Sequence, residues 1–185
     1  MMYIIAGEFR KQKLLAPKGS TTRPTSARLR ETVFNICQTY VEGTRVLDIC
    51  AGSGAIGLEA LSRGAKSATF IDNSYPAINS IRENVHKFHA DDRAEICYQD
   101  ALHALRDLER KQARFEICYL DPPYHDPDLL RSIIEFLDQS DIISPDGVLF
   151  IEDSANSLIN GLVLNQLALE SKRRCGDSLL YVFRN

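Results

Sequence analysis

Four aspartates stand at or near the ends of four successive apolar runs. Asp48 lies in "RVLDIC", Asp72 closes "SATFID", Asp100 follows "AEICYQ" and Asp121 follows "FEICYL". Between the first two acids comes "AGSG". Its residues Ala51, Gly52, Ser53 and Gly54 can turn tightly and bring bare backbone close to a ligand. Asp72 comes 18 residues after Gly54, at the end of the next run, where a carboxylate can accept both hydroxyls of a ribose. Positions 52–57 read "GSGAIG", a spacing that a nicotinamide site would also show, so the glycines alone leave the nucleotide open. Asp48 bears on the choice. A carboxylate just below the loop suits the ammonium of a methionine and repels a pyrophosphate, which points to S-adenosylmethionine (SAM). The plainer reading of Asp48 is a loop-capping acid, and that of Asp100, just before "ALHAL", is a helix cap.

The fourth acid opens "DPPYH". Proline fixes its own backbone and cannot donate to a sheet, so Asp121, Pro122, Pro123 and Tyr124 form a stiff corner after a strand. The Asp121 carboxylate and the Pro122 carbonyl are two acceptors in one place, as the exocyclic NH2 of a nucleobase requires. Gripping both hydrogens turns the nitrogen lone pair towards an electrophile, and such positioning is a large part of catalysis. Tyr124 offers a flat face to a base taken out of its stack. The methyl of a sulfonium is an electrophile that needs no metal. The plainer reading is a Pro-Pro turn ahead of a helix. His125 is not needed as a base, because the amine can lose its proton after methyl transfer, which leaves it a substrate contact at most.

Such a site needs a frame that gathers strand ends. From Arg45 the chain alternates strand-like and helical patterns: "RVLDIC", "AIGLEALSRG", "SATFID", "SYPAINSIRENVHKF", "AEICYQ", a helix over 101–112, "FEICYL", "DLLRSIIEFLDQ" and "GVLFIED". "VLNQLALES" and "SLLYVFR" are predicted as two more strands, joined by "KRRCGD" into an antiparallel edge hairpin. The pattern predicts an α/β fold with a doubly wound, mostly parallel sheet, with ligands beyond the carboxyl ends of its strands. Upstream, "YIIAGEF" and "KLLAP" predict a hairpin. Leu29, Val33, Ile36, Cys37 and Tyr40 recur at helical spacing, so one helix is predicted over 26–40, capped by Thr25 or Ser26.

The 185 residues suit one domain, and the net charge of −3 hides an asymmetry. Residues 1–30 hold seven basic residues and one acid, Glu8, leaving fifteen basic and twenty-four acidic residues for the rest. A basic arm on an acidic body suits a polyanion. Arg10, Lys11, Lys13, Arg23 and Arg28 are the candidates for phosphate contacts, with Lys172, Arg173 and Arg174 as a second patch on the edge hairpin. No apolar stretch approaches the ~18–20 residues that span a bilayer, and no signal-peptide pattern opens the chain. Five cysteines without a CxxC pair fit a reduced cytoplasm and give no zinc site. His86 and His89 share a helix but lack a third ligand, and a solvated face is the simpler reading.

"VLDICAGSGAIGLEALSRGA" together with "LDPPY" resembles class I SAM-dependent amino-methyltransferases. "IIAGEFRKQKLLAPKGSTTRPTSARLRETVFNIC" resembles more specifically the RsmD family, bacterial 16S rRNA guanine-N2 methyltransferases. The likeness runs from Ile4 to about Tyr124 and resumes at "RRCGDSLLYV". It implies a seven-stranded SAM fold and methylation of one guanine of 16S rRNA, in the small ribosomal subunit or its assembly intermediate. It places SAM against Asp48, Ala51, Gly52, Ser53, Gly54, Asp72, Asn73, Asp100 and Ala101, and the target base against Asp121, Pro122, Pro123 and Tyr124. Thr22, Arg23 and Thr25 would lie beside the cofactor. Three departures stand out: Cys50 where the family has Phe, Asp72 where it has Glu, and Cys175 where it has Tyr.

The expectation is therefore a basic N-terminal extension over 1–25 and a methyltransferase domain over 26–185, in a cytoplasmic monomer without metal or membrane contact. Two alternatives remain open on the residues alone: an adenine-N6 or cytosine-N4 methyltransferase acting on DNA, and a non-catalytic module that binds SAM and RNA.

Overall fold

The computed structural model describes residues 2–17, 26–122, 126–154 and 158–185. Thr22, Arg23, Thr25, Pro123, Tyr124 and His125 lie outside the described residues. Two short strands, β1 (Met2–Tyr3) and β2 (Lys13–Leu14), pair antiparallel. Helix α1 (Ala27–Ile36) follows, then β3 (Arg45–Ile49), α2 (Ala55–Ser62), β4 (Ser67–Asp72), α3 (Tyr75–Lys87), β5 (Ala94–Tyr98) and α4 (Ala101–Arg110). The chain ends with β6 (Phe115–Leu120), α5 (Pro127–Gln139), β7 (Ile143–Ser154), β8 (Ala168–Cys175) and β9 (Ser178–Arg184).

Among the described residues, seven strands form one sheet in the order β5-β4-β3-β6-β7-β9-β8. The five strands from β3 to β7 run parallel, and β9 runs antiparallel between β7 and β8. The sequence reverses direction across the sheet at β3, from which the chain moves first to β4 and later to β6. This is the switch point at which open α/β sheets bind ligands.

Period-two alternation divides each strand between two apolar layers. Val46, Phe70, Ile117, Phe150 and Val182 pack with α1, α2, α3 and the N-terminal residues Ile4, Phe9 and Leu14. Leu47, Ile71, Cys118, Ile151 and Tyr181 pack with α4 and α5. The first layer turns polar toward the carboxyl ends: Asp48, Tyr119 and Glu152 continue the same faces of β3, β6 and β7, all buried.

The N-terminal segment is strapped onto α2. Glu59, fully buried, accepts from the Ile5 and Ala6 amides at 2.8 and 3.0 Å and pairs with Arg30 and Arg63 at 3.3 and 2.8 Å. Gly7 lies so close to the Ser62 carbonyl that a Cβ there would sit 1.7 Å from its oxygen. Further along, Asn84 of α3 accepts from the Leu15 amide and donates to the carbonyls of Leu15 and Ser53, which brings the strap back to the glycine turn.

Three local expectations shift. The helix over 26–40 stops at Ile36, with the Ser26 hydroxyl accepting from Leu29 N at its start. Tyr40 and Val41 then donate to the Cys37 carbonyl in a turn that extends the apolar spacing. The N-terminal hairpin is only two residues per strand. The strand expected over 163–171 instead spans Ala168–Cys175, so most of "KRRCGD" is strand and Gly176-Asp177 is the turn. Charged residues are acceptable on β8 because it is an edge strand.

Candidate active site

The carboxyl ends of β3, β4 and β6 meet at Cys50. Its backbone is left-handed, at φ +62°, an arrangement rare outside glycine and typical of constrained sites. The Ala51 amide donates to the Ile71 carbonyl at the end of β4, and the Asp121 amide donates to the Ile49 carbonyl at the end of β3, at 3.0 and 3.3 Å. The glycine turn, which continues β3, is thus tied to β4, and the Asp-Pro corner is tied to the end of β3. Burial and the fields of Asp72, Asp121, Asp48 and Asp100 all push the Cys50 thiol up, so four of the predicted acids converge on one side chain.

The turn itself explains its glycines. Gly52 and Gly54 have φ of +56° and +74°. A side chain at Gly52 would meet nothing within 4 Å, so its backbone faces open space. Gly57 answers a packing demand, because a Cβ there would stand 2.3 Å from the Phe70 ring of β4. The same ring lies 3.2 Å from where a Cβ of Gly54 would be.

Asp72 clamps the turn from β4. Its Oδ2 accepts from Gly52 N and its Oδ1 from Ser74 N, both at 2.8 Å. Burial raises its pKa, and the amides of Gly52, Ser74 and Asn73 oppose the rise. Asp48 Oδ2 accepts from Gly57 N at 3.0 Å, so Asp48 does cap the start of α2. Burial pushes its carboxyl up to about 7, against the pull of that amide, and Asp72 adds to the rise. Asp100 caps α4 by accepting from Leu102 N and His103 N, with Ala101 buried behind it and Asn73 exposed at the rim. Ser53 turns its carbonyl to Asn84.

Asp121 is half-buried as a residue, but its carboxyl is enclosed by protein on nearly all sides. Burial, then Glu152, then Asp48 hold its pKa well above the ordinary carboxylate range. Pro122 beside it is buried. Glu152 was missed in the sequence, although "GVLFIED" also ends in acids. It lies one step beyond the Leu120–Ile151 pair of the β6–β7 ladder, level with Asp121, and accepts from Tyr119 Oη at 2.7 Å. Alternation along β7 was the signal that would have found it, since Val148, Phe150 and Glu152 share a face.

The basic candidates divide between two poles. α2 starts at the glycine turn and runs away from it. Glu8 and Phe9 donate to Ser62 at its far end, which carries Arg10 and Lys11 about 12 Å from the turn. Lys13 lies on the returning strand, its carbonyl bonded by Lys87. Arg28 is exposed in the first turn of α1. Among the described residues no three His, Cys, Asp or Glu side chains gather as metal ligands, and no helix is long and apolar enough to cross a membrane.

Seven strands in this order, with a glycine turn after the central strand and an acid-proline corner after its neighbour, are the architecture of a class I methyltransferase. The solved structure of yhhF from Escherichia coli shares it at TM-score 0.85 and 28% identity, covering 99% of this chain and 97% of that one. Ribosomal RNA small subunit methyltransferase D of Haemophilus influenzae is 34% identical over 150 residues, 80% of this chain and 77% of its own. The Escherichia coli K12 protein of that name is 32% identical over 159 residues, 86% of this chain and 76% of its own. Residues 2–184 match the family described as conserved hypothetical protein 95. The chain belongs to this family, the RsmD family of methyltransferases.

Proposed function

We propose that the protein transfers a methyl group from SAM to the exocyclic N2 amine of a guanine in 16S rRNA, acting in the cytoplasm as a monomer on the small ribosomal subunit or an assembly intermediate of it. The observation that carries this reading is the Asp121 amide bonded to the Ile49 carbonyl, which sets the acid-proline corner against the glycine turn. The relatives named for small-subunit rRNA support the choice of substrate.

The site suits SAM in its donor chemistry. The open backbone at Gly52 gives room for a ligand, Asp72 stands where a ribose would be gripped, and the buried Asp48 suits an ammonium. When bound, SAM supplies an electrophilic methyl on a sulfonium. The chain's own residues orient the nucleophile. In its ionised form the Asp121 carboxylate accepts one hydrogen of the guanine amine while the Pro122 carbonyl accepts the other. Pro123 and Tyr124 follow in the sequence, and a tyrosine ring is a face on which a base taken out of its stack can lie. A cation brought beside Asp48 and Asp121 favours their ionised forms, so a bound cation would ready Asp121 to accept.

Arg28 stands at the pole of the site, whereas Arg10 and Lys11 reach only substrate that extends along the strap. Tritiated SAM offered with undermethylated 30S particles, naked rRNA or duplex DNA tests the reading. Label in RNA is expected. Label in DNA alone would assign the corner to a DNA amine, and no label anywhere would leave a binding module.

A further inference from the structure

The edge strand β8 runs parallel to β7, because each pairs antiparallel with β9. Its carboxyl end therefore reaches the same pole as Asp121. The register makes this specific: Arg173 pairs with Leu180, and Leu180 pairs with Glu152. Three strand spacings separate β8 from β6, so Arg173 sits about 14 Å along the sheet from the acid-proline corner. Lys172, Arg173 and Arg174 are all exposed there. Arg174 Nε donates to the Gly176 carbonyl at 3.1 Å, which holds its guanidinium at the hairpin tip, and Lys172 Nζ lies 4.9 Å from the centre of the Tyr181 ring.

Helix α1 brings a fourth cation to the same rim. Cys175 Sγ lies 3.6 Å from Thr32 Oγ1, whose hydroxyl donates to the Arg28 carbonyl one turn earlier. The helix then runs to the opposite pole, where the Tyr40 hydroxyl accepts from Arg184, at the end of β9. Arg28 and Arg173 thus lie on the α1 side of the sheet, with Lys172 and Arg174 on the other. The acids nearest in sequence are Glu31, Glu170 and Asp177, of which Glu170 pairs with Arg184 at 2.7 Å. Four cations at the edge of a rim whose centre is a group of buried carboxylates form a local charge contrast in a chain of net −3.

We infer that Arg28 and the β8 segment Lys172–Arg174 form the cradle for the backbone phosphates of the RNA strand that carries the target guanine. This rests on the reading of the corner as an RNA base pocket. Phosphate contacts fix the register of a nucleic acid and bases provide its identity. A cradle to one side of the corner holds the strand within a few nucleotides of the base that is turned in. The cations straddle the edge of the sheet, so the strand crosses β8 rather than following the basic strap at the far pole.

The test uses the full chain with an rRNA substrate over a range of salt. In an Arg28→Ala, Arg173→Ala, Arg174→Ala variant, KM is expected to rise about fivefold or more at low salt, with kcat and calorimetric SAM affinity unchanged. The slope of log K against log salt is expected to become shallower by about 2, near 0.7 per lost contact to a single strand. A Lys66→Ala, Arg114→Ala variant removes the exposed Lys66 and the half-buried Arg114, which pairs with Asp141 at 3.1 Å, beside the amino ends of β4 and β6, and is expected to match the wild type. A wild-type KM and slope in the rim variant, or an equal change in the far-pole variant, overturns the cradle while wild-type methylation of RNA still stands. Absence of any wild-type transfer to RNA overturns both.

Discussion

Asp138 and Asp121 are both acids that the fold takes out of water, and it treats them in opposite ways. Asp138, at the end of α5, is 2% exposed, and its carboxylate accepts from the amides of Asn165, Gln166 and Leu167 at 2.8 to 3.1 Å. Those donors outweigh burial and hold its pKa below the ordinary range. At Asp121, the surroundings add two more carboxylates to the effect of burial, and its pKa stands well above that range. The first acid is satisfied within the chain and fastens the approach to β8. Among the described residues no such amide donors face the second, which leaves it open to a partner from outside. A buried acid supplied with backbone donors supports structure, and one crowded by other acids is prepared for a cation or a donor that arrives.

If that contrast holds, exchanging each acid should separate activity from stability. Asp121→Ala should lower single-turnover methyl transfer by about 10²–10³-fold while SAM affinity in calorimetry stays within a few-fold. A collapse of cofactor affinity would show that Asp121 holds the cofactor and not the base. Asp138→Ala should do the reverse: denaturant unfolding should show a loss of about 3 kcal/mol, with kcat preserved where the protein remains folded. A fall in kcat at full folding would undo the distinction.

Asp48 lies between the two, because it caps α2 and still titrates near neutrality. A carboxyl whose folded pKa exceeds its unfolded value stabilises the fold below the unfolded value and loses that contribution as pH rises through the folded one. For Asp48 that window runs from 3.8 to about 7. The ligand-free Asp48→Asn protein should therefore match the wild type near pH 4 and exceed it by about 4 kcal/mol at pH 8, read from paired melts. Its SAM affinity should fall, since the ammonium loses a charged partner. The smallest effect belongs to Glu152→Gln. Removing one negative neighbour of Asp121 should move the acid limb of kcat/KM to lower pH, and an unmoved limb would show that Glu152 does not act through Asp121.

Much of this could be read from the residues. "SATFID" and "FEICYL" match β4 and β6 to the residue, because buried parallel strands are short apolar runs with sharp polar ends. The convergence of Asp48, Asp72, Asp100 and Asp121 followed from the rule that parallel strands end at one pole. Three things were hidden. Glu152 closes an apolar run in which an acid looks like no more than the end of a strand. β8 was placed too early because its arginines look like loop residues until its edge position is known. The position of Arg10 and Lys11 depended on Gly7 meeting Ser62, a tertiary contact with no local sequence pattern.

The shape of the glycine turn is borrowed from beneath it. One phenyl ring, Phe70, fills the space that a side chain at position 57 would occupy and, with Ile81 and Leu58, crowds position 54. Shrinking that ring should make a methyl group tolerable at 57. The height of the loop, and with it the grip on the methyl donor, can therefore be adjusted from a residue that no ligand ever touches.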